Sequence, residues 1–341
     1  MRAKGINYDT GFIMAGTTTR EPFDAEVVKR EMQIIHDDLH CDAVRITGGH
    51  PDRMEIAAGF AAEAGMEVWF SLFTIDLSPD ALLDLIRDCA ERAERLRKSG
   101  AEIVFVVGAE LSVFTAGFVP GDTFMDRLNA LLTPGPQRSD MVISMRRKIN
   151  EFLLRAATLA RQRFGGKVTY ASIAFEAVDW TPFDFLSVDC YRTPEVAGRF
   201  REGIRASVAQ GKPLVITEFG CGTYRGAADK GARGGEIVQY DEGGKAIRLD
   251  GDYIRDEQEQ AREIIDLLSI FREEGVDSVF VNTFSSYFLP HREDPVEDLD
   301  MASYGVVKIL ENKHGAAYPD MPWEPKVAFT ALGEYYRALD R

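Results

Sequence analysis

Eight short apolar segments alternate with helical patterns along this chain, and this alternation strongly limits the folds that the chain can adopt. Each segment is rich in β-branched or aromatic residues and bounded by Gly, Pro or polar residues, which predicts a buried strand. Eight strands alternating with helices are typical of a closed parallel barrel. We therefore predict an α/β protein, a single-domain (β/α)8 TIM barrel over residues 1–341, with strands at 4–9, 42–47, 66–73, 102–108, 167–173, 185–191, 214–217 and 276–284.

Helix signals lie between the predicted strands. Capping residues and Gly or Pro at the ends of amphipathic stretches predict helices at 24–39, 51–64, 79–98, 142–164, 194–210, 253–274 and 324–339, with a short helical turn after the fifth strand. A doubly wound open sheet is the alternative architecture. Such a sheet usually carries a GxGxxG turn after its first strand, and this sequence lacks that motif.

Two long segments interrupt the regular pattern, after the fourth and the seventh strands. Residues 111–141 form a Gly- and Pro-containing loop in this interpretation, and residues 224–252 contain two β-rich stretches, EIVQY and KAIRL, whose DEGG connection predicts a β-hairpin. Insertions of this length are typical of the functional rim of a fold. We expect both to wall the mouth of the barrel and to favour a pocket over an open groove.

Two glutamates follow predicted strands at the end where barrels of this kind carry their active sites. Glu110 follows the fourth strand in VVGAELS, and Glu218 ends the seventh strand in KPLVITEFGCGT. A carboxylate in such a place is costly unless it is paired or used, and holding a loop is the structural alternative for each. Two facing carboxyl groups suit the hydrolysis of a glycosidic bond, because one can protonate the leaving oxygen while the other attacks or activates water.

Other strand-end residues suit such a site. Arg45, at the end of the second strand, could stabilise an ionised carboxylate, and Tyr191, at the end of the sixth, could donate a hydrogen bond to the same group. A buried structural ion pair and ordinary core packing are the alternatives for these two residues. Further candidates are the flat side chains that could stack on a sugar ring and one more acid near the mouth: Tyr8, Trp69, Trp180, Phe284 and Glu176.

Net charge limits the partners of the chain. Its 55 acidic and 40 basic residues give a formal net charge of -15, so nucleic acid and anionic membranes would repel it, and a neutral or cationic substrate fits better. The sequence has no run of about 18 uncharged apolar residues. Its four cysteines lack CxxC spacing. We therefore expect a cytoplasmic protein with reduced thiols, no membrane contact, and no metal or other cofactor.

Together the motifs resemble the clan of retaining (β/α)8 glycoside hydrolases that contains β-glucosidases, β-galactosidases, β-mannanases and cellulases. The similar motifs are KGINY near the start, AVRI around Arg45, Tyr191, TEFG at 217–220 and EPKVAFTAL near the end, so the resemblance covers nearly the whole chain. It implies a carbohydrate substrate and hydrolysis with retention by a double displacement. In that mechanism Glu110 would be the acid/base and Glu218 the nucleophile.

Two departures from the clan's pattern concern residues that would bind the sugar. Ala109 stands where the clan commonly has an Asn that contacts the 2-hydroxyl group, and the clan's strand-eight tryptophan is missing, with Phe284 or Tyr287 nearest. The alternative function is therefore a catalytically inactive barrel that binds a carbohydrate or a protein partner. The chain also resembles, more loosely, bacterial chains labelled abortive phage infection proteins, which would connect that alternative with phage defence.

Overall fold

The centre of the fold is a sheet of eight parallel strands. The computed structural model describes residues 1–14, 17–241 and 244–340. In chain order the strands are β1 (Ala3–Asp9), β2 (Ala43–Gly48), β3 (Glu67–Leu72), β4 (Ile103–Ala109), β5 (Lys167–Ala171), β6 (Leu186–Asp189), β7 (Leu214–Glu218) and β8 (Ser278–Val281). Across the sheet they follow the order β5-β4-β3-β2-β1-β8-β7-β6. A parallel bridge between Ser172 and Val188 links the two ends, so the sheet is nearly closed into the predicted (β/α)8 barrel.

Side chains from alternate strand positions fill the barrel, which is therefore a packed core and not a pore. In β3, Val68 and Phe70 belong to the apolar layer between strands and helices, whereas Trp69 belongs to the cluster inside the barrel. The Trp69 ring lies 5.0 Å from the ring of Phe185 and 4.9 Å from that of Phe280. These rings close the barrel near the starts of its strands and leave the carboxyl ends for polar side chains.

Helices cover the outside of the barrel and bury the outer faces of the strands. None of the helices in the described part of the chain is long and apolar enough to cross a membrane. Each predicted helix is present, although 194–210 is divided into α7 and α8. The helices are α1 (Ala25–Asp37), α2 (Pro51–Glu63), α3 (Pro79–Lys98), α4 (Leu111–Phe114), α5 (Phe124–Leu132), α6 (Arg138–Arg161), α7 (Pro194–Ala197), α8 (Phe200–Val208), α9 (Glu257–Glu273) and α10 (Val327–Leu339), with 3-10 turns at Ala174–Glu176, Ala228–Ile237 and Leu299–Ala302.

Local sequence determines where the helices begin. Asp24 accepts a hydrogen bond from the backbone N–H of Glu26 at 2.9 Å, which satisfies a free donor in the first turn of α1. The last helix begins at Val327, later than the predicted residue 324. The reason is that Trp323–Pro325 pairs as a short antiparallel strand with Val307–Ile309.

The first insertion contains more regular structure than the sequence indicates. The prediction of a loop over residues 111–141 is wrong, because this segment contains α4, α5 and the start of α6. Helix α5 begins with a capping box in which Thr123 and Asp126 bond each other reciprocally. In the second insertion the predicted hairpin is present, with Val238–Tyr240 antiparallel to Ala246–Leu249. Residues 242 and 243 of its connection lie outside the described residues.

A buried arginine ties the first insertion to the barrel. Arg127 in α5 is fully buried and donates to the carbonyl oxygens of Val113 at 2.7 Å and Gly121 at 3.2 Å. It also pairs with Asp76, in the loop after β3. The backbone N–H of Asp76 in turn donates to the carbonyl oxygen of Phe114 at 2.8 Å. The segments after β3 and β4 therefore form one connected structure.

We expect Arg127→Leu to lower the free energy of unfolding by about 2–4 kcal/mol, because it leaves carbonyl oxygens unpaired and Asp76 without its cation. Thermal and urea unfolding would measure the loss. Arg147→Leu is the matched control, since Arg147 forms an exposed pair with Glu151 on α6 and such pairs contribute only about 0.3–0.5 kcal/mol. Equal effects of the two substitutions would contradict an anchoring role for Arg127.

Candidate active site

Glu218 ends β7 with its carboxylate held from two sides. Arg45 Nη1 donates to Glu218 Oε1 at 2.9 Å, and Tyr191 Oη donates to Glu218 Oε2 at 3.1 Å. Arg45 is itself fully buried and is fixed by bonds from Nε to Ser71 Oγ at 3.0 Å and from Nη1 to the Thr217 carbonyl oxygen at 3.1 Å. The Glu218 side chain remains 15% exposed. It is therefore a charge-compensated carboxylate that solvent can still reach.

Asn282, which follows β8, orients the tyrosine hydroxyl group. Asn282 Nδ2 donates to Tyr191 Oη at 2.9 Å, so the hydroxyl proton is free to point at Glu218. Burial and the nearby charge of Glu218 raise the pKa of Tyr191 well above its ordinary value, so the phenol stays protonated and donates. Sequence reasoning missed Asn282, because the predicted eighth strand extended to residue 284 and placed this amide inside it, whereas the strand ends at Val281.

Glu110 lies at a sharp turn between β4 and α4. Its backbone is left-handed, with φ 43° and ψ 48°, and its carbonyl oxygen accepts from the N–H groups of Val113 at 2.9 Å and Phe114 at 3.0 Å. A left-handed non-glycine residue is uncommon and is often found at functional sites. Burial, followed by the charges of Asp189 and Glu218, raises the pKa of Glu110 well above its usual range. The surroundings of Glu110 thus favour its protonated form.

Glu176 is a fully buried support behind Glu110 and not an acid of the mouth. Its carboxylate accepts hydrogen bonds from Ser112 N at 2.9 Å and Ser112 Oγ at 2.7 Å, from Tyr170 Oη at 2.8 Å and from Ser172 Oγ at 2.9 Å. Burial raises its pKa, and these bonds oppose the rise. The bonds fix α4, and with it the turn that carries Glu110, to the segment after β5.

A third carboxyl group stands beside the two glutamates, and sequence reasoning missed it. Asp189 ends β6 opposite Glu218 on the neighbouring strand, and carboxyl oxygens of Glu110, Asp189 and Glu218 lie within 4.8 Å of one another. Asp189 is only 7% exposed, and neither of its oxygens has a hydrogen bond of normal geometry within the described residues, although Thr217 and Glu110 lie beside it. Burial and the charge of Glu218 raise the pKa of Asp189 to about 8.

The spacing of the three carboxyl groups is compatible with a bound cation. The guanidinium group of Arg45 already compensates the charge of Glu218 at 2.9 Å and would repel a second cation there. The donor set therefore suits proton chemistry better than metal binding.

None of the four predicted aromatic platforms faces a ligand at the mouth. Tyr8 points outward and pairs with Glu31 of α1, and Phe284 is fully buried with its ring 5.4 Å from that of Trp323. The reason is strand direction: successive side chains of a strand alternate between the two faces of the sheet. In β1 the inward position falls on Asn7, whose amide bonds the Thr217 carbonyl oxygen at 3.0 Å.

The two predicted tryptophans lie away from the mouth. Trp69 is fully buried among the rings near the starts of the strands, and its Nε1 donates to Glu67 at 2.5 Å. Trp180 packs edge-on against Phe183, whose carbonyl oxygen accepts from Lys212 at 2.6 Å, just before β7 begins. Trp180 is therefore near the amino ends of the strands, and neither ring is available to a sugar at the carboxyl ends.

A different row of aromatic rings begins beside Glu110. Its four rings are half-buried. Phe12 follows β1, Phe73 follows β3, Phe114 follows β4, and Phe124 lies within the first insertion. Neighbouring ring centres are 4.8 Å, 4.9 Å and 5.9 Å apart along this order. Phe114 lies one helical turn from Glu110, so the row extends from the site along the first insertion.

Comparison with known proteins identifies the fold. No family model and no curated protein matches the chain. Two structures of a GH113 β-1,4-mannanase, with 15% identity, match it with TM-scores of 0.61 and 0.64 over 99% of this chain and 100% of theirs. A β-glucuronidase from Parabacteroides merdae, also 15% identical, has a TM-score of 0.60 over 98% of this chain but only 36% of its own length.

This chain has the barrel fold of these proteins. A β-glucuronidase from Bacteroides uniformis agrees, with a TM-score of 0.57 at 13% identity over 100% of this chain and 35% of its own. The likeness to barrel glycoside hydrolases predicted from the sequence is thereby confirmed for the fold. The looser resemblance to phage-infection proteins stays a prediction.

We expect Glu176→Gln to lower the free energy of unfolding by about 1–3 kcal/mol, because its amide nitrogen would face hydroxyl and N–H groups that now donate to a carboxylate. Thermal unfolding would measure the change. Glu151→Gln, at an exposed position of α6, is the matched control and should have almost no effect. An unchanged melting temperature for Glu176→Gln would show that this carboxylate does not support the turn at Glu110.

Proposed function

We propose that this protein is a glycoside hydrolase that cleaves a glycosidic bond with retention of configuration. The observation that supports this most directly is that carboxyl oxygens of Glu110 and Glu218 lie within 4.8 Å of each other. Retaining enzymes hold their two carboxyl groups about 5–5.5 Å apart, whereas inverting enzymes need roughly 6.5–9.5 Å to admit a water molecule. The short separation favours a double displacement by one catalytic barrel formed from the whole chain, with its insertions at 111–141 and 224–252.

Different surroundings suit the two glutamates to different roles. Glu218, stabilised as an anion by Arg45 and Tyr191, is the proposed nucleophile. Glu110, whose pKa is raised by burial and by neighbouring carboxyl groups, is the proposed acid/base. No cofactor is needed, because a nucleophile and a proton donor suffice for both steps.

The proposed reaction has two displacements. In the first, Glu218 attacks the anomeric carbon while Glu110 gives its proton to the leaving oxygen, so a glycosyl ester forms as the glycosidic bond breaks. In the second, Glu110 takes a proton from water, and the water oxygen displaces Glu218 from the anomeric carbon. Each displacement inverts the centre, so the product keeps the original configuration.

The charge at the mouth favours an uncharged sugar. Three carboxyl groups meet there, and the positive charge of Arg45 is already engaged by Glu218. A carboxylate on the substrate would therefore find the charge of Arg45 already compensated and would be repelled by the net charge of -15. The proposed substrate is therefore a neutral glycoside, although two of the proteins with this fold are named β-glucuronidases.

The insertions favour attack on a small or terminal glycoside. The first carries Phe114 and Phe124 of the phenylalanine row, and Phe114 lies one helical turn after Glu110, where the leaving group would lie. The second insertion reaches the side of the site that holds Glu218. Gly234 N of this insertion donates to Tyr304 Oη at 2.8 Å, and the ring centre of Tyr304 lies 6.0 Å from that of Tyr191. Walls on both sides suit a short cleft. We place the reaction in the cytoplasm, which the four free cysteines support.

One feature favours the alternative of a binding barrel without turnover. Ala109 is buried and its side chain has no group that could hydrogen-bond a sugar hydroxyl group, and β8 has no tryptophan. A protein that binds sugars but hydrolyses none of them would support this alternative and overturn the proposed activity.

We expect Glu218→Ala to abolish turnover and to recover part of it with added azide, giving a glycosyl azide of inverted configuration. Glu110→Ala should cost about 100-fold or more with poor leaving groups but spare the first step with good ones, and azide should then give a product of retained configuration. Product analysis by NMR reads the configuration. Glu293→Ala, at an exposed position, is the control. Inversion by the wild type, or near-normal turnover of Glu218→Ala, would refute the roles.

We expect hydrolysis of uncharged aryl hexosides and at least about 100-fold lower kcat/KM for the corresponding aryl glucuronides, because Arg45 is already paired with Glu218 and the protein carries a net charge of -15. A panel should include both anomers and a short oligosaccharide series. With the oligosaccharides, single terminal sugars should appear first. Efficient glucuronide hydrolysis, or cleavage in the middle of long chains, would contradict the proposed substrate.

A further inference from the structure

Asp189 is the acid at the mouth that the two-step mechanism does not use. Its carboxyl group is almost fully buried and faces the carboxyl groups of both Glu110 and Glu218 within 4.8 Å. Neither of its oxygens has a hydrogen bond of normal geometry from the residues that the structure describes. Burying an unpaired carboxyl group is costly. Such a residue is expected where it serves the site and not the stability of the fold.

The surroundings of Asp189 direct its influence to Glu110. Glu218 already has a cation on one oxygen and a hydroxyl donor on the other. Glu110 instead has Asp189 beside it: the two side chains interact directly, and the charge of Asp189 acts on Glu110 more strongly than the charges of Glu218 or Glu176 do. Asp189 is charged above its pKa of about 8. In that range its negative charge disfavours a second one nearby, so Asp189 favours the protonated form of Glu110 as the pH rises.

We propose that Asp189 is a positioning residue that, once ionised, keeps Glu110 protonated at alkaline pH and so sets the upper pH limit of the first displacement. This inference rests on the proposed function, because it assigns Asp189 a part in the same reaction. Asp189 does not itself give up a proton in either step. Its role is to hold the proton on Glu110 until the leaving oxygen takes it.

The other ionisable groups around Asp189 and Glu110 are consistent with this role, including Tyr170, whose pKa burial raises well above its ordinary value, so that it stays neutral. Burial and the charge of Glu218 raise the pKa of Asp189. The positive charge of Arg45 lowers it. Tyr191 and Cys190 stay neutral, because burial raises the pKa of each. Glu176 adds to the rise at Glu110 from behind. Removal of the Asp189 charge therefore lowers the pKa of Glu110 without removing the effect of burial.

The first test is the pH dependence of kcat/KM for an aryl glycoside with Asp189→Asn. The alkaline limb reports loss of the proton from Glu110 in the free enzyme. We expect that limb to move to lower pH by about one unit, the size of effect that a like charge at this distance produces. Asp189→Ser should move it in the same direction, and Asp189→Glu should restore it. A residue that only binds a sugar hydroxyl group or packs would change kcat/KM at all pH values and leave the limb in place, which would overturn the inference.

Asp9→Asn is the matched control for the pH profile. Asp9 ends β1, and its pKa is raised by burial, but its oxygens accept from Gly11 N and Thr19 Oγ1, each at 2.7 Å. It stands outside the group of three carboxyl groups. Its substitution should leave the alkaline limb where it is. An equal shift in both variants would attribute the effect to the net charge of the mouth and overturn a specific role for Asp189.

A second measurement separates this inference from the proposed function. Carboxyl carbon NMR with labelled glutamate follows the titration of Glu110 directly, and Glu110→Gln assigns its signal. The midpoint should fall in Asp189→Asn whether or not any glycoside is hydrolysed. If no substrate is found but the titration midpoint of Glu110 falls in Asp189→Asn, the proposed function is wrong and the effect of Asp189 on Glu110 is supported. An unchanged midpoint in a folded variant overturns the inference even if the enzyme is active.

Discussion

The buried ion pair between Arg45 and Glu218 is the interaction on which the site depends. A guanidinium group inside a barrel is strongly disfavoured unless its donors are satisfied and its charge is paired. Arg45 bonds Ser71 of β3 through Nε, and the carbonyl oxygen and the carboxylate at the end of β7 through Nη1. Its Nη2 has no hydrogen-bond partner among the described residues, so the pairing with Glu218 is the main compensation of its charge. One side chain of β2 thus fixes three strands relative to one another. It also fixes the position of the carboxylate that would carry the reaction.

The carboxyl groups at and behind the mouth have different surroundings, because they differ in burial and in the hydrogen-bond donors around them. Glu176 has four donors and no exposure, so it serves as a buried brace. Glu218 has a cation and a phenol and remains partly exposed. Glu110 and Asp189 lack such donors, and their pKa values rise. Acids with separated proton affinities are what a reaction with both a nucleophile and a proton donor requires.

The sequence predicts the site acids better than the aromatic residues, for a physical reason. Carboxyl ends of parallel strands meet at one rim, so Glu110, Glu218, Arg45 and Tyr191 could be grouped without knowing the direction of any side chain. Whether an aromatic ring can stack on a sugar, in contrast, depends on the direction of its side chain. Strands buried on both faces carry no polar and apolar alternation, so the outward position of Tyr8 could not be read from its sequence.

Two further features were present in the sequence but were not used. An aspartate inside the apolar run FLSVDCY is a strong signal, because an acid is rarely buried there without a role. In 111–141 the Gly and Pro residues suggested a loop, yet Thr123 and Asp126 already had the spacing of a helix start. The contacts between separate loops, such as Arg127 with Asp76, depend on tertiary structure and could not be predicted.

The second insertion is joined to the reacting centre by a short series of direct contacts. Tyr304 Oη donates to the carbonyl oxygen of Gly231 at 2.5 Å, and its ring stands edge-on to Tyr191, which donates to Glu218. Two glycines permit this approach. Gly231 has φ 54° and lies against Tyr191 and Thr193, and a Cβ atom at Gly234 would be 2.6 Å from Tyr304 Oη. A side chain at Gly231 would press on Thr193 and Tyr191, and one at Gly234 would press on Tyr304, whose ring packs against Tyr191. The segment that walls the cleft therefore also affects the position of the phenol that holds Glu218.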